Sequence, residues 1–238
     1  EIKDRDTANL RTFYTALYHL MIHPSLFNDA NGDYRGTDKE VYRSPGFQNY
    51  TVFSLWDTYR AAHPLYTLID PARVSDFVSS MLAIHDQQGS LPVWHLMGNE
   101  TGTMVGNHSI PVIADALLKG IGGFDPEKAF EAMKSTALGD DGDGLKFLNT
   151  LGWVAADSAR ESVSKGLEYA VDDWAIAQVA KFLGKEEDFT LFHKRAGYYR
   201  NYFDPSVGFF RGKNYNGSWS TPFHPVFTLH EQGNYTEG

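Results

Sequence analysis

Several short stretches of this chain group carboxylates, imidazoles and indoles closely enough to do chemistry. In Leu167-Glu168-Tyr169-Ala170-Val171-Asp172-Asp173-Trp174, a helix sets Glu168 and Asp172 four residues apart on one face. That face continues through Ala175, Val179 and Phe182, while Asp173 points elsewhere. Acids on an apolar stripe must be paired or hydrogen-bonded. They are either the polar floor of a site or braces bonded to Arg, Lys or backbone at a helix crossing. In Ser54-Leu55-Trp56-Asp57-Thr58-Tyr59-Arg60, Trp56 offers a stacking face and Asp57 a hydroxyl acceptor. The plainer alternative is a core Trp, with Asp57 capping a helix or pairing with Arg60. The segment Leu91 to Thr101 brings Trp94, His95 and Glu100 into one loop. His108 stands just before an apolar helix, as a site residue or as a capped surface group.

Other chemistries lack their parts. No Gly-x-Ser-x-Gly, phosphate-binding or dinucleotide glycine loop occurs, and His230-Glu231 has no second His at metalloprotease spacing. Cysteine is absent, which removes disulfides, thiol catalysis and zinc–thiolate sites. Asp29, Asn31, Asp33 and Glu40 fall at EF-hand-like positions, but Tyr34 stands where the loop needs Gly. That loop and Asp140-Asp141-Gly142-Asp143-Gly144 read as solvated turns. Carboxylates, aromatics and His remain, and glycoside hydrolysis is built from such parts: one acid for the leaving oxygen and one carboxylate for water or attack.

Composition agrees. The 238 residues carry a net charge of −9, which disfavours a nucleic-acid backbone as partner. With 42% hydrophobic and 21% charged residues the chain is globular, and its apolar runs are too short for a membrane span. Aromatic residues make up 14%. They serve a broad core, and they also stack on sugars.

The elements that must position these groups read as helices. Apolar residues at Leu10, Phe13, Leu17, Leu20 and Met21 follow a helical period over Thr7 to Ile22. Asp70-Pro71 and Asp125-Pro126 are cap-plus-proline starts, with stops at Gly89 and Gly139. Further helices are predicted over Ile110 to Ile121, Ser162 to Leu183 and Glu186 to Phe203. Period-two alternation is almost missing, so the chain is predicted all-α, an array of paired helices with long loops over 23–55, 88–107 and 204–238. Both ends read as cut from something longer.

These segments together resemble the catalytic domain of glycoside hydrolase family 92, the calcium-dependent exo-α-mannosidases. The resemblance rests on Phe13 to His19, Tyr50 to Ala61 with Trp56-Asp57-Thr58, and Val112 to Ala116. It rests further on Ser162 to Ser164, Leu167 to Trp174, Arg195 to Tyr199, Asn201 to Asp204, and Tyr235-Thr236-Glu237-Gly238. It implies an (α/α)6 toroid of paired helices, of which residues 1–238 are a single helical fragment: the first half, without the β-sandwich domain or the C-terminal half. Gly166 and Ala175 depart from the family's usual Thr and Cys.

The resemblance implies inverting hydrolysis of terminal α-linked mannose, α-1,2 by expectation, from oligosaccharides or N-glycans. Thr-Glu-Gly, which Asn-Ala-Trp-Gln follows in the family, carries the general acid, which transfers to Glu237. The general base lies outside this chain, about 6.5–9.5 Å from the acid across the sugar ring. Calcium is the implied cofactor, with ligands mostly beyond residue 238 and none assignable here. Trp56, Asp57, Glu100 and His108 are expected to line the sugar pocket, with Glu168 and Asp172 lining it or bracing the inner helices. The fragment is expected to be inactive alone, its partner being the rest of its own polypeptide. Two other readings stay open: a non-catalytic helical carbohydrate-binding or scaffold protein, and an α-toroid glycosidase of different sugar specificity. Five Asn-x-Ser/Thr sequons, at Asn49, Asn99, Asn107, Asn216 and Asn234, accord with an extracytoplasmic location, secreted or periplasmic.

Overall fold

The computed structural model describes residues 2–43, 46–140, 144–226 and 233–236. Helix α1 (Thr7–Leu20) leads into three strands, β1 (Ser25–Leu26), β2 (Asp33–Arg35) and β3 (Val41–Arg43), followed by β4 (Tyr50–Thr51) and β5 (Phe53–Ser54). Helices α2 (Leu55–Thr58), α3 (Ala62–Ile69) and α4 (Pro71–Gln88) precede β6 (Trp94–His95). Then come α5 (Ser109–Leu118), α6 (Pro126–Leu138), α7 (Leu145–Leu151), α8 (Ser162–Phe182) and α9 (Glu186–Ala196). A 3-10 turn over Gly197–Tyr202 leads to β7 (Phe203–Asp204) and β8 (Phe209–Phe210). The all-α expectation stands: the strands form two-stranded antiparallel ribbons in the loops, and helices build the core.

The cap-plus-proline starts work as their chemistry predicts. The Asp70 carboxylate accepts from Arg73 N, and α4 ends where Gly89 turns left-handed at φ +84°, a geometry only glycine adopts freely. The Asp125 carboxylate accepts from Glu127 N and Lys128 N, and α6 runs to Leu138. The core joins Val74, Phe77, Val78 and Met81 of α4 to Ile110 and Ile113 of α5, Phe130 and Met133 of α6, and Ile176 and Val179 of α8. Each large apolar side chain so buried contributes about 1.5–3 kcal/mol. Helix α8 touches α5, α6 and α9 and is buried on most of its circumference.

Four expectations change. Helix α1 has no buried residue, and Phe13 is exposed; only Leu20 and Met21, at its C-terminal end, pack against the core. The loops hold short helices, α2, α3 and α7, and ribbons whose two- or three-residue strands are too short for alternation to show. The helix expected to run to Phe203 stops at Ala196 and tightens to 3-10 geometry, which turns Tyr202 into the interior. Finally, Gly166 is required by packing: a Cβ there would lie 2.0 Å from Tyr202 Oη, whose oxygen accepts from Val154 N at 2.6 Å.

Candidate functional site

The two acids on α8 meet the Trp-Asp turn and the start of α5. Strand β4 pairs with β1 and β5 with β6. Between β4 and β5 the chain bends at Val52, which sits left-handed at φ +64°. A β-branched residue adopts that conformation only under constraint. The bend delivers β5 into α2, whose single turn presents Trp56, Asp57 and, after it, Tyr59. On α5, His108 occupies the N-cap position without capping; its ring turns toward α8 instead.

One network results. Trp56 Nε1 donates to Glu168 Oε1 at 2.8 Å, and Tyr59 Oη donates to Glu168 Oε2 at 3.2 Å. His108 Nδ1 lies 2.9 Å from Asp172 Oδ1, and Asn107 N donates to Asp172 Oδ2 at 2.7 Å. His108 Nε2 lies 3.2 Å from Glu168 Oε2, off the line of a good hydrogen bond, so that contact is one of charge. The Tyr59 ring stacks on the imidazole at 3.9 Å between centroids. The Arg60 guanidinium lies 5.1 Å from the Trp56 ring and 5.0 Å from that of Tyr59. Buried Asn107 keeps an amide Nδ2 with no partner among the described residues.

The electrostatics follow from burial and pairing. Burial alone would push His108 toward its neutral form, but Asp172 and then Glu168 overcome it, raising its pKa to about 9. For Glu168 burial pulls upward, and its contacts with His108, Trp56 and Tyr59 overcome that and hold it low. Burial, with Glu168 beside it, pushes the Tyr59 hydroxyl up to about 12. At neutral pH the site is an imidazolium between carboxylates. The Glu168 side chain is 18% exposed while His108 is 1%, so the acid forms the accessible edge.

The other expected residues sit differently. Asp57 is exposed and accepts from Ser54 Oγ at 3.0 Å; Arg60, the partner weighed from sequence, reaches back to Trp56 O. Glu100 is turned to its own loop, accepting from Val93 N, Trp94 N and Gly102 N at 2.8–2.9 Å. It shapes that loop, and no described hydrogen bond joins it to the cluster. Asp173 points away from Asp172, as expected, and pairs with buried Arg195 at 3.0 Å. Glu237 lies outside the described residues, but its neighbour does not. Thr236 N donates to Ser164 Oγ at 2.7 Å, and Ser164, Glu168 and Asp172 recur every four residues on one face of α8. Thr236 is therefore anchored to the residue one helical turn, about 6 Å along the axis, before Glu168.

Sequence reasoning missed Tyr59, Asn107 and Ser164. The i, i+3 relation of Trp56 to Tyr59 could have disclosed the first; the others depend on long-range packing that no spacing encodes.

Comparison with known proteins decides the family. The description "Glycosyl hydrolase family 92 catalytic domain" matches residues 1–238. The chain belongs to glycosyl hydrolase family 92. A family GH92 α-mannosidase from Bacteroides thetaiotaomicron, solved with mannoimidazole, is similar at 46% identity and TM-score 0.93, over 97% of this chain and 31% of that one. A family GH92 inverting mannosidase from the same organism shares 34% identity at TM-score 0.88, over 97% and 32% of the two chains. An uncharacterized secreted glycosidase of Arthroderma benhamiae is 27% identical over 88% of this chain and 26% of its own length. The chain thus spans about a quarter to a third of these relatives.

Among the described residues no three or more His, Cys, Asp or Glu side chains gather to hold a metal. Of the acids weighed above, Asp33 is paired with Arg43, Glu100 with backbone, and Glu168 and Asp172 with the network. The described residues do not fit calcium. No described helix is long and apolar enough to cross a membrane.

Proposed function

We propose that this chain is part of an inverting exo-α-mannosidase acting on terminal α-linked mannose, with α-1,2 linkages preferred, in oligosaccharides or N-glycans. The single observation that carries the reading is the hydrogen bond from Thr236, the residue before Glu237, to Ser164, which shares a face of α8 with Glu168 and Asp172. Glu237 is the general acid. Its proton passes to the glycosidic oxygen as the C1–O bond breaks and the bonding electrons move to the leaving oxygen. A water attacks C1 from the opposite face and loses its proton to a carboxylate outside these residues.

The described residues bind and hold. Asp57, exposed beside the indole, accepts sugar hydroxyls; Trp56 supplies an apolar face; Glu168 and Asp172 fix that indole and the start of α5. Glu100 supports the pocket wall through its loop. Calcium, the family's implied cofactor, takes its ligands from outside the described residues. The chain is one helical portion of a larger α/α toroid, and the rest of its polypeptide is its first partner. The fungal relative described as secreted supports an extracytoplasmic location. Two of the sequons do not: Asn49 and Asn107 are buried and closed to glycosylation in the fold.

The test is release of mannose from an α-1,2-linked disaccharide by the full-length polypeptide, with and without EDTA. Turnover abolished by the chelator is the expected result. Mannose binding without turnover would overturn it in favour of a non-catalytic carbohydrate-binding role, and turnover of another sugar would point to a different toroid glycosidase.

A further inference from the structure

The start of α8 does more than begin a helix. A helix leaves its first backbone N–H groups without intrahelical partners, and here several are used by the segment 233–236. Glu161 N donates to Gly233 O at 2.7 Å, Val163 N to Asn234 O at 3.0 Å and Ser164 N to the same oxygen at 3.3 Å. Ser162 Oγ donates to Asn234 Oδ1 at 3.0 Å. The grip tightens on Thr236: its Oγ1 donates to Glu161 Oε1 at 2.8 Å and its N to Ser164 Oγ at 2.7 Å. Thr236 is 5% exposed and Glu161 9%. Glu161 adopts a left-handed φ of +55°, which a non-glycine residue holds only under constraint. A hydrogen bond from the Tyr235 hydroxyl to Phe210 O at 2.5 Å ties the segment to β8 as well.

We propose that Glu161 and Ser164 are positioning residues for the general acid, acting through Thr236. This rests on the reading of Glu237 as that acid. Together they fix the main chain and side chain of the residue before the proton donor. General acid catalysis works only within hydrogen-bond reach of the leaving oxygen, and displacement by about 1 Å costs roughly a hundredfold. The penalty grows with the basicity of the leaving group, because only a poor leaving group needs the proton.

That dependence separates positioning from plain structural support. The full-length protein and its Thr236→Val, Thr236→Ser, Glu161→Ala and Glu161→Gln variants are assayed on two substrates. One is an α-1,2-linked mannobiose, whose leaving alcohol must be protonated; the other is α-mannosyl fluoride, whose leaving group need not be. Thr236→Val and Glu161→Ala are expected to lose roughly tenfold to a hundredfold in kcat on the disaccharide and little on the fluoride. Thr236→Ser and Glu161→Gln, which keep the hydroxyl donor and the acceptor, retain most of the disaccharide activity. Equal losses on both substrates would overturn the proposal in favour of a structural role, as would no loss on either. A wild-type protein that hydrolyses neither substrate would overturn the mannosidase reading, and this proposal with it.

Discussion

At the scale of the residue, charge compensation decides what these side chains do. His108 is buried between Asp172 and Glu168, and its pKa is raised to about 9 from 6.5. A group so raised stabilises the fold fully below its unfolded value, and the contribution fades as pH rises through the folded one. Glu168, held low, contributes above its unfolded value and loses that contribution as pH falls through the folded one. His108→Phe keeps a ring for Tyr59 to stack on but leaves two carboxylates facing each other. It is expected to destabilise by about 3–5 kcal/mol below about pH 6.5, with the gap to wild type narrowing as pH rises from there through about 9. Chemical denaturation across pH reads this directly, and a gap that stays constant would contradict it. The Asp173–Arg195 pair makes a second case. Arg195 Nε bonds Asp173 Oδ1, while its other nitrogens reach Asn149 Oδ1 at 2.5 Å and Ala137 O at 3.0 Å. Burial pushes the Asp173 carboxyl up against the pull of Arg195. Asp173→Ala strands that cation among α6, α7 and α9 and is expected to cost about 3–5 kcal/mol in the same measurement. Much of this was legible: the i, i+4 spacing of Glu168 and Asp172 put both on the site face, and Asp173 off it. The imidazole between them was not, because 64 positions separate His108 from Asp172 and only packing brings them together.

At the scale of the element, local signals set the boundaries and packing set the exceptions. Capping aspartates, N1 prolines and stop glycines located α4 and α6 to within a residue or so, since each acts on its immediate neighbours. Asp125→Ala removes the acceptor for two α6 amides and is expected to lower stability by about 1 kcal/mol, seen as a small drop in Tm. The ribbons escaped notice because two-residue strands carry no periodicity, and the end of α9 because Tyr202 is drawn inward by a vacancy that Gly166 leaves one helix away. Gly166→Ala fills that vacancy and is expected to cost about 1–3 kcal/mol from overpacking. A thermal melt matching wild type would show that Tyr202 has another place to go. The same helix, α8, holds Thr236 through Ser164 and the charged network one and two turns further on, so a shift of α8 moves both.

At the scale of the whole molecule, the family and its helical fold follow from motifs that lie along nearly the entire chain, while the chain spans about a third of the α-mannosidase structure it is similar to. The enzyme we propose inverts α-mannosides, with Glu237 as acid and water delivered from the opposite face. Proton NMR of the first-formed product, recorded as the full-length protein hydrolyses an α-1,2-mannobiose and before mutarotation, tests that claim most directly. β-Mannose is expected to appear first, with α-mannose growing in only at the rate of mutarotation. First-formed α-mannose would contradict it.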